Sequence, residues 1–417
     1  MAVGSSVDTG ISSCKKCGTL EATKRCAKCR SAWYCSVDCQ RADWPAHKGE
    51  CRTFANENMP HDCKDKASIG LLEFVRRSCT SVLSISGEAI VNRDAARRFA
   101  ESLDVKDVRK RSDESSITFP LRFDSVEDEV NFISIRHLLN FGSGFRAELH
   151  EATGAGANDT LVRGMMGLRL SGHALDARGL ANIKASDVED AFCIKAKVMR
   201  RLPGFPAEVE QEGPLFSYVH NITHVMNQTG DALQRLRRTS LGAFVLEELR
   251  RSPCCAETLV KSLADGLPAF ADVGVYTRKD GAGGLDVAFY KKAQILVVDL
   301  WRRFQDEEPN VFKFRDLNSL TVAADNVLPA VLSRQGVLTF SPEIVATVEA
   351  GDPLDMNVQI VVRAATVCAC EEILSFVRSQ GGDLMAFELD THLWGVLGKT
   401  DEFRNVKRHV CKDTIFY

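Results

Sequence analysis

From about residue 67 onward, apolar residues recur at three-, four- and five-residue intervals, the period of a helix that buries one face. Leu233, Leu236, Leu241, Phe244, Val245 and Leu249 trace one such stripe. Ile360, Ala364, Val367, Glu371 and Leu374 trace another, with a carboxylate set into it. Charged or breaker-rich stretches at 104–120, 203–214 and 277–286 read as loops, and 52–66 reads as a polar linker. No internal repeat and no series of β-hairpins is visible. The pattern predicts an all-α domain over 67–417, a small module at 14–51 and a flexible N-terminus at 1–13.

Composition adds little until the cysteines are counted. Of 417 residues, 45% are hydrophobic and 26% charged, and 53 Lys plus Arg nearly balance 56 Asp plus Glu. That mixture is globular, and the balance gives no reason to expect binding to nucleic acid or to a membrane surface. No run of apolar residues is long enough to span a bilayer. The N-terminus lacks the basic start and apolar stretch of a signal peptide. A cytoplasmic protein is expected, with the nucleus left open. In a reducing compartment, 15 cysteines then need a role other than disulfides.

Seven of them fall within 14–51, spaced Cys14-x2-Cys17-x8-Cys26-x2-Cys29-x5-Cys35-x3-Cys39-x7-His47-x3-Cys51. Eight soft ligands suit two tetrahedral zinc ions, with no open position for chemistry, so both ions are expected to be structural. His47 and Cys51 have the i, i+4 spacing of one helix face. The segment carries eight Lys or Arg against four Asp or Glu, which nearly neutralises seven thiolates and two Zn2+. So short a segment cannot fold on apolar burial, and zinc supplies on the order of 10–16 kcal/mol per site. His61 and Cys63 lie outside this full ligand set.

The ending Cys39-Gln40-x-x-Asp43-Trp44-x-x-His47-Lys48-x-x-Cys51, with Trp33-Tyr34 before Cys35, resembles the MYND-type zinc finger. The resemblance implies interleaved ligands: Cys14, Cys17, Cys35 and Cys39 on one ion, Cys26, Cys29, His47 and Cys51 on the other. It also implies a surface for proline-containing peptides of partner proteins.

Weaker motifs stand on their structural readings. His220 and His224 have the i, i+4 spacing of a metal pair, but Asn221 stands where a zinc protease needs its Glu. The glycines at 154–156 and 281–284 lack the strand-turn-helix frame of a nucleotide loop. Two carboxylates are more unusual. Asp299 interrupts an apolar run in 293–304 (AQILVVDLWRRF), where an unpaired carboxylate would be costly to bury. It is read either as an ion pair with Arg302 or Arg303, or as a functional group. Asp325, in 320–329 (LTVAADNVLP), sits at a helix junction and is read either as a cap or as a carboxylate for an oxocarbenium-like cation.

Blocks in order across nearly 350 residues resemble the queuosine salvage family of queuosine 5′-phosphate N-glycosidases. They are 138–146 (LLNFGSGFR), 289–301 (FYKKAQILVVDLW), 324–329 (ADNVLP), 336–338 (GVL), 363–371 (RAATVCACE), Leu393-Trp394 and Phe416-Tyr417, with an early match at 75–79 (VRRSC). The resemblance implies an all-α fold similar to DNA glycosylases and release of queuine for reinsertion into tRNA. It implies no catalytic metal. By the same resemblance Asp325 is the catalytic carboxylate, and Asp272, Lys291 and Asp299 hold the base's polar edge. Phe141 and Tyr290 offer aromatic surface, Phe141 equally as a core residue, and Arg146 or Arg363 meets the phosphate. Ala323, Val361 and Ala271 depart from the usual Phe, Glu and Arg, and the tail 408–412 (RHVCK) is less Arg-rich than usual. A non-catalytic adaptor is therefore the alternative reading. A MYND-containing methyltransferase would need a β-rich domain and an Asn-His-Ser-Cys block, and neither is present.

Overall fold

The computed structural model describes residues 14–17, 19, 24–25, 33–57, 69–115, 119–201, 207–281 and 283–417, and among these the side chains at 24, 25, 33, 48–57 and 404 fall outside the description. The chain divides into two compact units, Met1–Ile69 and Gly70–Tyr417. In the first, strands Lys24–Arg25 and Trp33–Tyr34 pair antiparallel, and a helix spans Val37–Glu57. That helix continues six residues into the stretch read as linker; 58–68, with His61 and Cys63, lies outside the described residues.

The second unit is helical, as the periodicity predicts. Its centre is the Lys291–Phe304 helix, in which ten residues are buried. It packs against the Val126–Leu138 and Ala256–Gly266 helices. The Met356–Ser379 helix, buried over most of its length, packs on Leu71–Ser86 and Arg93–Ser102. The carboxylate in its stripe, Glu371, finds Arg76 at 3.0 Å, which explains a charge beside an apolar face.

Three local expectations need correction. The stripe from Leu233 to Leu249 belongs to two helices, Phe216–Arg235 and Leu241–Arg251. Arg237 turns left-handed (φ 57°), and the Ser240 hydroxyl caps the next helix through the N–H of Ala243, so the chain breaks without glycine or proline. The charged stretch 104–120 contains a helix, Val105–Asp113, whose first N–H groups donate to Asp104. Part of 203–214 is strand Glu208–Glu212, paired with Lys197–Arg201 so that basic side chains face acidic ones. The remaining two-stranded pairs are Ala89–Val91 with Leu338–Phe340, and Val273–Thr277 with Gly284–Ala288. Among the described residues, no helix is long and apolar enough to cross a membrane.

Candidate active site and metal centre

In the finger, the Sγ atoms of Cys14, Cys17, Cys35 and Cys39 all lie within 4.8 Å of one another. Three of the separations are 3.5 Å (Cys17–Cys35), 3.5 Å (Cys35–Cys39) and 3.8 Å (Cys39–Cys17). A tetrahedral zinc with 2.3 Å bonds to sulfur sets its ligands about 3.8 Å apart, so the four thiols fit the ion as placed. This quartet is one of the two sets implied above, and its four sulfurs could hold one metal ion. In the other set His47 is buried, while Cys26, Cys29 and the Cys51 side chain lie outside the described residues. Buried Tyr34 braces the finger by donating to Asp43 at 2.9 Å.

In the helical unit, the run from Leu320 to Val327 is loop, not helix, and ends at the Leu328–Arg334 helix. Asp325 is buried there, and its Oδ1 accepts from the N–H of Val327 (2.8 Å) and of Leu328 (3.2 Å). The capping reading of its position thus describes its bonds correctly; its second oxygen accepts from no described residue. The carboxylate thus sits at the positive end of that helix.

Lys291 begins the central helix. Its Nζ donates to the carbonyl (3.2 Å) and side-chain oxygen (3.3 Å) of Asn140. Burial lowers its pKa to about 8, and the Asp325 carboxylate works against that fall. A third ionisable group stands with these two. Asp390, in the Ala386–Thr391 helix, accepts the Ala323 N–H at 2.6 Å, two residues before Asp325. Burial and the like charge of Asp325 push its pKa up to about 7. Paired carboxyls whose environments separate their proton affinities are the arrangement from which acid–base chemistry is built. Sequence reasoning missed Asp390. The one signal was an acid four residues before Trp394, closing a run (384–389, LMAFEL) that is largely apolar.

The other predicted residues take different places. Asp272 is clamped by Arg363, Nη1 to Oδ1 at 2.8 Å and Nη2 to Oδ2 at 2.7 Å, and it also accepts the Lys291 N–H at 3.1 Å. Arg363 further donates Nε–H to Ala324 O (3.1 Å) and is sandwiched between the rings of Phe289 and Tyr417, 4.0 and 4.4 Å from their centres. This buried pair joins the helix start at Lys291 to the loop that carries Asp325. Both amino groups of Arg363 are committed to Asp272, so a phosphate there would compete with a buried carboxylate. Arg146 is exposed and makes no ion pair among the described residues.

Asp299 lies two helical turns beyond Lys291, about 12 Å along the axis. Its Oδ2 takes a 2.7 Å hydrogen bond from His137 Nε2, with Arg136 at 3.4 Å and Arg302 at 3.5 Å. Burial opposes its charge, but His137 and the two guanidiniums outweigh burial and leave its pKa below the usual carboxylate range. Burial also keeps His137 neutral, with Nε2–H donating and Nδ1 without a partner. The expected Arg302 pair is present, whereas Arg303 turns to Glu129 at 2.6 Å. Arg302 also donates to Thr391 Oγ1 at 2.8 Å, which ties this network to the residue after Asp390.

Tyr290 caps the central helix in a left-handed conformation (φ 50°), a strained backbone for a bulky residue and a marker of functional sites. Phe141 is buried edge-on to Tyr218 and lies under the ammonium of Lys292, 5.4 Å from Nζ, which is a core environment. Lys292, also missed, is fully buried and ties Leu138 O to Ile415 O, each at 2.8 Å. His220 and His224 lie exposed on the Phe216–Arg235 helix, as expected of surface histidines.

Comparison with known proteins adds an independent line. Residues 123–417 match the family described as queuosine salvage protein, and residues 14–51 match the MYND finger. A Sphaerobacter thermophilus protein named queuosine 5′-phosphate N-glycosylase/hydrolase is 34% identical over 145 residues, which is 33% of this chain and 41% of its own length. The protein of that name from Dictyostelium discoideum is 32% identical over 142 residues (34% and 42% of the two chains). That from Bos taurus is 29% identical over 191 residues (43% and 52%). The chain thus spans about half, or less, of the length of these curated relatives. At the N-terminus, a Xenopus laevis N-lysine methyltransferase, SMYD2-B, is 48% identical over 47 residues, 11% of each chain. A MYND finger implies interaction with other proteins.

Proposed function

Because the chain belongs to the queuosine salvage protein family, we propose that its helical unit hydrolyses the N-glycosidic bond of queuosine 5′-phosphate and releases queuine for salvage into tRNA. The observation that carries this reading is the grouping of Asp325, Lys291 and Asp390 at a helix start. In the reaction the bond from C1′ to the base nitrogen breaks, and the oxygen of water bonds to C1′. One proton from that water ends on the departing base. Asp325 stabilises the oxocarbenium-like cation or orients the water, as carboxylates do in glycoside hydrolysis. Lys291 and Tyr290 flank the base. Asp272 and Asp299 act on the substrate from behind, Asp272 by fixing Lys291 and Arg363, Asp299 through Arg302. Phe141 supports this wall from the core, and Arg146 faces the phosphate. No metal takes part in the chemistry.

The finger binds two structural Zn2+ and presents a surface for a proline-containing peptide, and the protein works in the cytoplasm. The test is direct. Zinc-loaded full chain is incubated with queuosine 5′-phosphate, and free queuine and ribose 5-phosphate are measured by mass spectrometry. Stoichiometric appearance of both supports the hydrolase. Absence of both, with other nucleotides also inert, favours a non-catalytic adaptor built around the finger.

A further inference from the structure

The loop from Leu320 to Val327, which carries Asp325, is buried along its whole length although it has no helix or strand of its own. A buried loop leaves backbone N–H and C=O groups that must find partners, because an unpaired one costs about as much as a lost hydrogen bond. Here side chains from separate helices supply them. Asp390 accepts the Ala323 N–H, and Arg363 donates to Ala324 O. The start of the loop is held by two others, Gln294 and Arg76.

Gln294, buried on the central helix, accepts the Thr321 N–H at Oε1 (2.7 Å) and donates Nε2–H to Thr321 Oγ1 (2.9 Å) and to Phe289 O (2.8 Å). Phe289 precedes Tyr290, so one amide ties the strained start of the central helix to the Asp325 loop. Arg76 comes from the Leu71–Ser86 helix. It donates Nη1–H to Ser319 O at 2.9 Å and Nη2–H to Leu320 O at 3.0 Å, while its Nε lies 3.0 Å from Glu371 Oε1. The planar guanidinium thus closes on two successive carbonyls and a carboxylate at once, which the point charge of an ammonium cannot do. Glu371 is the carboxylate set into the apolar stripe of the Met356–Ser379 helix, and from there it fixes the plane of the Arg76 fork. The Arg76 and Glu371 side chains are each 24% exposed, so this part of the grip can be altered without opening the core.

We propose that Arg76 is a positioning residue for the hydrolysis: it holds the Asp325 loop by its backbone, so that the carboxylate keeps one place as the cation develops, and Glu371 acts on the site through Arg76. Neither side chain touches the substrate in this role. The effect on turnover rests on the hydrolase reading above; the clamp on the loop does not. A carboxylate that drifts from its place loses stabilisation made only in the transition state, so the cost falls on kcat and not on KM.

The test compares Arg76→Met, Arg76→Lys and Glu371→Gln with wild type in zinc-loaded full chain, each alone and in the Asp325→Asn background. Arg76→Lys keeps a cation for Glu371 but brings one nitrogen to three acceptors. On queuosine 5′-phosphate, Arg76→Met is expected to lower kcat about tenfold and the other two variants roughly threefold, with KM within about twofold of wild type. In the Asp325→Asn background the same changes should cost less than about twofold, because effects that pass through one carboxylate do not add. Amide hydrogen exchange, which needs no turnover, should speed up at Thr321 and Ala323 in Arg76→Met and stay unchanged in the Val126–Leu138 helix. Wild-type kcat in Arg76→Lys would reduce Arg76 to an ion pair and overturn the proposal. An equal loss with and without the Asp325 carboxylate would overturn it too, as would loop exchange unaltered by Arg76→Met. If Arg76→Met does not fold, Arg76→Lys and Glu371→Gln carry both measurements. Loop exchange that depends on Arg76, in a protein that releases no base, would sink the hydrolase reading and leave the clamp standing.

Discussion

Asp390→Asn removes one titrating group from the Asp325 cluster while keeping an oxygen for the Ala323 N–H. Folded, Asp390 keeps its proton up to about pH 7, because burial and the Asp325 charge disfavour its ionised form. Unfolded, it releases that proton near pH 3.9. The folded pKa is raised, so the contribution to stability is complete below about pH 4 and is lost as pH rises through 7. About three pKa units at 1.36 kcal/mol each set an upper bound of about 4 kcal/mol. Asp390 retains some solvent contact, and halving the bound for screening leaves about 2 kcal/mol, of which roughly 1 accrues between pH 5 and 8. The assay is urea unfolding of zinc-saturated protein at pH 5, 6.5 and 8, wild type against Asp390→Asn. Titrations not coupled to Asp390 are common to both and cancel. The variant should gain on wild type by about 1 kcal/mol from pH 5 to pH 8. A gap that stays flat, or that widens toward acid, would refute the placement of Asp390 beside a like charge.

Other perturbations read other parts of the structure. Asp272→Asn leaves Arg363 buried without its partner and should destabilise the helical unit by about 3–5 kcal/mol, seen as a lower urea midpoint; under 1 kcal/mol would mean that the pair is not desolvated. Metal analysis of purified protein should give two zinc ions per chain, and Cys35→Ala should lose at least one of them; wild-type zinc content in that variant would contradict the Cys14, Cys17, Cys35 and Cys39 quartet. Gly144→Val drives a side chain into Cys411 O and should lift the tail around Cys411, lowering Tm by several degrees; an unchanged Tm would show that this tail does not bear on Gly144.

How much was legible in the sequence follows from how far apart the partners stand. The eight-ligand set was readable because its spacing is local and each ligand type is chemically exclusive; its division into the Cys14, Cys17, Cys35 and Cys39 quartet came from the MYND resemblance. The Met356–Ser379 helix was readable because its apolar stripe is long and unbroken. At 104–120 the density of charge hides a helix, although Asp104 ahead of it is an N-terminal signal. The stripe from Leu233 to Leu249 hid a break, because the residues making it, Arg237 and Ser240, are not the usual breakers.

At the site, Asp325 stood out as an acid at a helix junction and Lys291 only through the family resemblance; the Asp325 charge acts on Lys291 in the structure. What could not be read was pairing at a distance. Asp272 and Arg363, 91 positions apart, look like two free functional groups in sequence and prove to be one ion pair. Asp390 reaches the loop before Asp325 through helix packing that no local pattern encodes. The departure at Ala323 bears on the same neighbourhood, since the Ala323 N–H is what holds Asp390.

The most direct test of the central claim is queuine release by Asp325→Asn against wild type on queuosine 5′-phosphate. Asparagine caps helices as well as aspartate, so the bonds to Val327 and Leu328 are kept and stability should change by less than about 1 kcal/mol. Only the negative charge facing the reaction centre is lost. The account predicts a folded variant whose kcat falls by about 10²-fold or more. A folded variant with wild-type turnover would contradict it.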